Sequence, residues 1–85
     1  MKMENLLSTK NVADNNMLKL GKYKHYKGKE YKVIGVAKHS ETLEDFVVYK
    51  QLYGNGSLWV RPVKMFLEKV EVNGKKVPRF KFIII

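Results

Sequence analysis

The segment Val70-Glu71-Val72-Asn73-Gly74-Lys75-Lys76-Val77 predicts a β-hairpin. Its central Asn-Gly pair is the preferred loop of a type I′ turn, whose twist matches that of the strands it joins. A two-residue loop pairs Val70 with Val77, so two apolar side chains share one face. It also pairs Glu71 with Lys76 on the other face, where opposite charges attract. Turn chemistry and strand register therefore agree on antiparallel β-structure.

The chain upstream of this hairpin alternates between strand patterns and turn residues. Four segments have the β-branched and aromatic composition of strands: residues 22–25, 31–39, 46–53 and 57–61. Gly35 within the second segment predicts a bulge or sharp bend. Gly54-Asn55-Gly56 predicts a hairpin turn between the third and fourth. Pro62 ends the fourth strand, and residues 63–66 are predicted to form a single helical or 3₁₀ turn.

These elements predict an all-β fold, a small SH3-like barrel of five to six short strands with one 3₁₀ or helical turn. An OB-fold is the alternative, but no long helix lies between its expected strands. In this interpretation residues 19–85 form the barrel domain. Residues 1–18 are polar and rich in asparagine, and we predict that they precede the barrel as a flexible or short helical segment.

The chain ends in an apolar strand pattern, Phe80-Lys81-Phe82-Ile83-Ile84-Ile85. An exposed apolar strand is an aggregation hazard. We therefore predict that this strand is paired, either within the barrel or with another subunit. The second option gives a homo-oligomer that assembles through the C-terminal strand.

Charge is unevenly distributed over the 85 residues, whose formal net charge is +9. Residues 19–38 contain seven lysines and one acid, and residues 50–85 contain eight basic and two acidic side chains. Residues 39–49, between them, contain three acids and neither lysine nor arginine. A basic surface attracts polyanions through long-range forces that salt screens, so an anionic partner is predicted. The alternative is a lysine-rich surface that serves solubility alone.

Several classes of function are disfavoured by what the sequence lacks. No apolar run approaches the ~18 residues of a membrane span, and no secretory signal pattern opens the chain. There are no cysteines, so disulfides and thiolate metal sites are excluded. The two histidines, His25 and His39, have no supporting metal signature, and Ser40 beside His39 lacks the third group of a nucleophilic site. We predict a cytoplasmic, non-enzymatic protein with no metal, no cofactor and no membrane partner.

The hairpin around Gly54-Asn55-Gly56 carries the main candidate binding site. Pairing Tyr53 with Ser57 sets Gln51 opposite Trp59. Four side chains then share one sheet face, which we predict to be the less buried one: Tyr49, Gln51, Trp59 and Arg61. The opposite face is predicted to belong to the core: Val48, Leu52, Leu58 and Val60. An aromatic platform beside a guanidinium and an amide suits a nucleotide, through stacking, phosphate contact and hydrogen bonding.

The same residues have a purely structural alternative. Trp59 would cover the end of the barrel, and Arg61 would pair with Glu44 or Asp45. Exposure of Trp59 and the partners of Arg61 separate the two interpretations.

Two other segments mix aromatic, basic and hydrogen-bonding residues. Tyr23 and His25 share one face of the first strand, and Lys27 in the following turn is placed to meet a phosphate. The alternative there is a tight turn with solvated lysines. His39 and Ser40 begin a polar loop after the second strand, and loops on rigid barrels often carry function. The alternative is that Ser40 or Thr42 caps the short turn leading to Asp45.

Seven motifs occur in the order of a known family: Gly21 to Gly28, Tyr31, His39 to Thr42, Val48-Tyr49, Leu58 to Pro62, Met65-Phe66 and Val77 to Phe80. Through them the chain resembles small bacterial and phage domains known as domain of unknown function 1653. The resemblance covers about residues 20–82. It implies a compact SH3-like β-fold and no particular activity, because none is established for that family.

The sequence as a whole predicts a non-enzymatic binding domain that recognises a phosphate-bearing ligand, a nucleotide or a nucleic acid, on an aromatic and basic surface. Two alternatives stay open. One is a phage-type oligomeric sponge for a nucleotide signal. The other is an adaptor that receives acidic or extended peptides in an aromatic groove.

Overall fold

The computed structural model describes residues 18–84 of the chain. The predicted N-terminal segment lies outside the described residues, apart from Leu18, which is buried in the core. Seven strands and one helical turn follow along the chain: β1 (Gly21–His25), β2 (Glu30–Lys38), β3 (Asp45–Gln51), β4 (Leu58–Pro62), α1 (Val63–Phe66), β5 (Lys69–Val72), β6 (Lys75–Pro78) and β7 (Phe80–Phe82). Over this part of the chain, no helix is long and apolar enough to span a membrane.

The strands form two antiparallel sheets. Five of them make one sheet in the order β4-β3-β2-β1-β7, and β5 pairs with β6 in the other. Because the last strand returns to the first, the sheet rolls into an open SH3-like barrel with α1 before the late strands. The all-β prediction is confirmed, with seven strands among the described residues where five to six were expected. The C-terminal strand β7 is paired within the barrel, so a homo-oligomer through it stays a prediction.

The predicted bulge in β2 lies at Ile34. Pairing of β2 with β3 shifts between Val33 and Gly35, so one extra residue on β2 has no partner. Such a residue bends a strand and increases its twist. The bend lets one sheet curl around a single core.

The β5–β6 hairpin matches its prediction in both turn and register. Asn73 and Gly74 have φ values of 52° and 78°, the two positive angles of a type I′ turn. Val70 pairs with Val77 and Glu71 pairs with Lys76, as the turn chemistry requires.

Replacing Gly74 by alanine is expected to lower the free energy of unfolding by about 1–2 kcal/mol, because a side chain in the left-handed region meets its own backbone. Nothing lies within 4 Å of the position where the new Cβ would stand, so the cost is conformational rather than steric. Gly35→Ala is the matched control, because its surroundings are equally open and its φ is not positive. Urea denaturation of both variants measures the difference, and equal effects would contradict the turn assignment.

Aromatic rings fill the barrel interior. Phe66 of α1 stacks on Phe80 of β7, with ring centroids 4.1 Å apart and planes 5° from parallel. Tyr23 and Tyr49 meet the Phe66 ring edge-on, at 5.3 and 5.5 Å. The buried core consists of these and other residues: Leu18, Tyr23, Val33, Val47, Tyr49, Val63, Phe66 and Phe80. The core therefore joins β1, β3, α1 and β7, which are far apart in the sequence.

The prediction of which hairpin face is buried was wrong. Tyr49, expected on the less buried face, is 5% exposed, whereas Leu58 and Val60, expected in the core, are 63% and 60% exposed. Leu52 is also exposed, and Val48 is half-buried. Both faces of this hairpin carry apolar residues, so alternation alone does not choose between them. The choice is made by Phe66 and Phe80, whose rings draw Tyr49 inward.

The predicted register of this hairpin was also wrong, by two residues. Tyr49 pairs with Trp59, and Val47 pairs with Arg61. The turn is longer than expected. It is closed by a backbone hydrogen bond in which the Gln51 N–H donates to the Ser57 carbonyl at 2.9 Å. Because side chains alternate along a strand, a shift of two residues keeps the same set on one face. The four candidate side chains therefore still point to the same side.

Candidate functional site

Side chains on the inner face of the sheet and its β3–β4 turn enclose a pocket of about 190 Å³, the aromatic pocket, lined by Tyr31, Tyr49, Tyr53, Trp59 and Arg61. The register explains its composition, because Tyr31 lies opposite Gln51 and Tyr49 lies opposite Trp59. Tyr49 is buried, and Trp59 is 52% exposed. The pocket thus has a buried aromatic base and a half-exposed indole at its rim.

Hydrogen bonds fix the rings of the aromatic pocket. The Trp59 Nε1–H donates to Gln51 Oε1 at 2.5 Å, which holds the indole in one orientation. The hydroxyls of Tyr31 and Tyr53 share a hydrogen bond of 2.5 Å, and their rings meet edge-on at 5.4 Å. Lys29 places its ammonium 4.7 Å from the centre of the Tyr53 ring. These walls are organised before any ligand arrives, so binding orders few side chains.

Arg61 provides the positive charge of the aromatic pocket. Its Nε–H donates to Tyr49 Oη at 3.3 Å, and its guanidinium carbon lies 5.8 Å from the centre of the Phe80 ring. The ion pairs found within residues 18–84 do not include Arg61. The predicted alternative, a pair with Glu44 or Asp45, is therefore not formed in the structure. Two of its nitrogens remain available to an anion in the fork geometry that suits phosphate or carboxylate.

His25 lies on the inner face of β1, next to this charge. Burial lowers the pKa of His25, and the charges of Arg61, Arg79 and Lys27 lower it further. The imidazole is therefore neutral near pH 7. Its Nδ1 accepts the Lys27 backbone N–H at 3.1 Å. Three cations, Arg61, Arg79 and Lys27, therefore lie close enough to His25 to add to the effect of burial on its pKa.

The pKa of Tyr31 is raised to about 12, chiefly by burial and then by the hydrogen bond to Tyr53. Because the unfolded chain releases this proton near its ordinary value of 10.0, the folded state binds the proton more tightly. The contribution of Tyr31 to stability is complete below pH 10 and is lost as the pH rises towards 12. We expect ultraviolet titration to show a late-ionising tyrosine that is missing in Tyr31→Phe. An unchanged high-pH end of the curve would contradict this assignment.

The structure brings together only part of the predicted site. Tyr49, Gln51, Trp59 and Arg61 meet in or beside the aromatic pocket. Tyr23, predicted as a ligand residue, is buried in the core, and its hydroxyl donates to the Lys19 carbonyl at 2.6 Å.

The turn residue and the polar loop are separate from the pocket. Lys27 lies in the exposed turn after β1, with its ammonium 5.8 Å from the Tyr26 ring centre. His39 and Ser40 follow the opposite end of β2 from Tyr31. His39 Nδ1 accepts the Glu41 and Thr42 amides at 3.1 and 3.3 Å, so this imidazole orders its own loop.

Sequence reasoning missed two walls of the pocket, Tyr31 and Tyr53. Tyr31 was placed in a strand and Tyr53 at a strand end, and neither was linked to the site. Their convergence follows from pairing of β2 with β3, which sets Tyr31 beside the β3–β4 turn. The signal available was the number of tyrosines close to that turn. No group of three or more potential metal ligands is found within residues 18–84.

The family model described as protein of unknown function (DUF1653) matches residues 21–82. A crystal structure of a DUF1653 protein from Bordetella bronchiseptica is similar, with a TM-score of 0.72 and 34% sequence identity, over 78% of this chain and 87% of that chain. No match was found among curated proteins. The matched residues span β1 to β7 and include the whole aromatic pocket, and the chain therefore belongs to the DUF1653 family.

Proposed function

We propose that this protein is a non-enzymatic binding domain for single-stranded nucleic acid, which seats one base in the aromatic pocket and a phosphate on Arg61. The observation that carries the proposal is a guanidinium outside the ion pairs of residues 18–84, beside a half-exposed indole. Aromatic side chains bind bases by stacking, and arginine binds phosphate through its fork of N–H donors.

The charge around the pocket argues against a cationic ligand. Cages of aromatic rings also bind quaternary ammonium groups, which the ring faces attract. Here Arg61 lines the pocket and Lys29 covers the face of Tyr53, so a cation would meet like charge. The chain also has a formal net charge of +9. A planar group attached to an anion satisfies both the rings and the guanidinium.

The volume of the pocket favours a polymer over a free nucleotide. Pockets that enclose a whole small molecule are typically about 300–1,000 Å³. The aromatic pocket measures about 190 Å³, which suits one planar group and leaves a sugar and phosphate outside. In a polymer, flanking phosphates find the surrounding lysines and strengthen binding through counterion release. A sponge for a free nucleotide would need a second subunit to complete its pocket. A chain without cysteine is suited to the reducing cytoplasm, where we propose that it acts.

Trp59 supplies an intrinsic probe for this proposal, because the chain contains one tryptophan. We expect its fluorescence to change on titration with a thymidine decamer. Removing the stacking platform in Trp59→Ala should weaken binding of a labelled decamer about 5- to 150-fold, since stacking contributes about 1–3 kcal/mol per base. Leu58→Ala is the matched control, because Leu58 precedes Trp59 on β4 and its side chain is exposed on the other face of that strand. It should bind as the unmodified protein does.

Three results would lead elsewhere. Saturable binding of one mononucleotide that resists high salt, together with a dimer or larger assembly in sedimentation, would favour the nucleotide sponge. Equal losses in Trp59→Ala and Leu58→Ala would remove the pocket from the argument. Binding of an acidic peptide in the absence of any response to nucleic acid would favour the adaptor.

A further inference from the structure

The outer face of the five-stranded sheet carries a second cationic surface, on the opposite side from the aromatic pocket. Side chains alternate along a strand, so the lysines next to the buried Tyr23 and Val33 point to the outer face. Five lysines share this outer face, and we call them the lysine stripe: Lys22, Lys24, Lys32, Lys50 and Lys81. They come from β1, β2, β3 and β7, so the stripe runs across the strands.

The sheet register sets these lysines directly opposite one another. Lys32 lies between Lys22 on one neighbouring strand and Lys50 on the other. Lys24 lies between Lys81 on one neighbouring strand and Glu30 on the other. Neighbouring strands are about 4.8 Å apart, and like charges directly opposite each other destabilise a sheet. The arrangement therefore costs stability, and a bound anion removes that cost.

Within residues 18–84, few acidic side chains neutralise the lysine stripe. Glu30 is the one acid at these paired outward positions, and its carboxylate lies 3.6 Å from the Lys22 ammonium. The Lys50 ammonium donates to the Gly56 carbonyl at 2.7 Å, an acceptor that carries no net charge. The ion pairs within residues 18–84 do not include Lys24, Lys32 or Lys81. Elsewhere in the fold, Lys38 and Arg79 each have a carboxylate partner.

One end of the stripe is concave. Lys24 and Lys81 border a surface cleft of about 310 Å³, which is also lined by His25, Tyr26, Val77 and Pro78. The other outward positions on β3 and β4 are Phe46, Val48, Leu58, Val60 and Pro62, and the row of lysines from Lys22 through Lys32 to Lys50 continues to Leu58. That row presents ammonium groups to phosphates with no aromatic ring among them.

We propose that the lysine stripe binds the sugar-phosphate backbone of double-stranded nucleic acid. A duplex displays about one negative charge per 1.7 Å of its axis, with the bases turned inward. That charge density matches a sheet face on which lysines lie opposite lysines, and the row from Lys22 to Lys50 has no aromatic ring to receive an unpaired base. This surface is a site distinct from the aromatic pocket and does not depend on the function proposed for the pocket.

The test compares two triple variants with the same loss of charge. One is Lys24→Gln, Lys32→Gln and Lys81→Gln in the stripe. The control is Lys69→Gln, Lys75→Gln and Lys76→Gln in the separate β5–β6 sheet. Fluorescence anisotropy of a labelled random-sequence duplex is followed over a series of salt concentrations. We expect the stripe variant to lose at least tenfold in affinity and to reduce the log–log salt slope by about 2–3, at about 0.9 per lost phosphate contact. The control should stay within about threefold, because only non-specific attraction is reduced.

Thermal unfolding gives a second readout in the opposite direction. Because the stripe variant loses repulsion between opposed lysines, it should melt at a higher temperature than the unmodified protein, and the control should not. Weaker binding therefore cannot be attributed to misfolding.

Other outcomes would overturn the proposal. Equal affinity losses in the two triple variants would show that net charge alone attracts the duplex. Binding of phosphatidylserine vesicles without binding of duplex would assign the stripe to a lipid surface. Arg61→Ala separates the two proposals, because it should weaken decamer binding at the pocket by roughly 10- to 150-fold and duplex binding by less than about threefold.

Discussion

Replacing Phe66 by alanine is expected to destabilise the protein by about 3–5 kcal/mol, the usual cost of removing a buried phenylalanine ring. Phe66 is 1% exposed, its ring stacks on Phe80, and the rings of Tyr23 and Tyr49 meet it edge-on. A small domain has little stability to lose, with free energies of unfolding that start near 5 kcal/mol. The substitution therefore removes most of the free energy of unfolding, and we expect the Phe66→Ala protein to be largely unfolded at 37 °C.

Met65→Ala is the control for this prediction. Met65 belongs to the same helical turn but is 43% exposed. Its truncation should change the free energy of unfolding by no more than about 0.5 kcal/mol, as surface substitutions do. Urea unfolding followed by circular dichroism measures both variants. Similar midpoints would mean that α1 does not pack on the barrel as described.

Replacing Arg61 by alanine is expected to weaken binding of a thymidine decamer by roughly 10- to 150-fold. Hydrogen bonds to a charged group contribute about 1.5–3 kcal/mol, and each 1.4 kcal/mol corresponds to a factor of ten. The ligand would lose its phosphate contact, while the ring walls of the pocket remain. Arg61→Lys should recover part of the affinity, because it keeps the charge and loses the planar fork of donors.

Lys64→Ala is the matched control for the loss of one positive charge. Lys64 lies in α1, three residues further along the chain, and is exposed. Affinity of this variant should fall by less than about threefold, since only long-range attraction is reduced. Anisotropy with the labelled decamer measures all three variants. If Arg61→Ala and Lys64→Ala behaved alike, Arg61 would have no direct contact with the ligand.

Local signals in the sequence predicted local structure well. The turn at Asn73-Gly74 has one low-energy solution, and that solution fixes the register of the strands on both sides. The bulge near Gly35 and the helical turn at residues 63–66 also depend on only a few neighbouring residues. The buried face of the β3–β4 hairpin was not predictable in this way. Both faces of the hairpin carry apolar side chains, and contacts with rings from α1 and β7 determine which face is buried.

The candidate site shows the same limit. Tyr49, Gln51, Trp59 and Arg61 belong to one hairpin, so alternation along two adjacent strands was enough to group them. Adding Tyr31 requires knowledge of which strand lies beside β3. Excluding Tyr23 requires knowledge of what covers β1, where Phe66 and Phe82 enclose its ring. The hairpin face could therefore be predicted from the sequence, but the aromatic pocket forms only when β2 pairs with β3.

The pairing of β1 with β7 also constrains how the protein is made. Tyr23 pairs with Phe82, so the backbone groups on one edge of β1 find their partners only when the last strand has been made. Contacts this distant in sequence slow folding, because the chain must close a long loop before they form. At about 5–20 residues per second, synthesis of the 18 residues from Pro62 to Phe80 takes roughly 1–4 seconds, during which β1 to β4 lack the ring that completes the core. The nascent chain therefore exposes apolar sheet residues for that time, and its positive charge opposes aggregation.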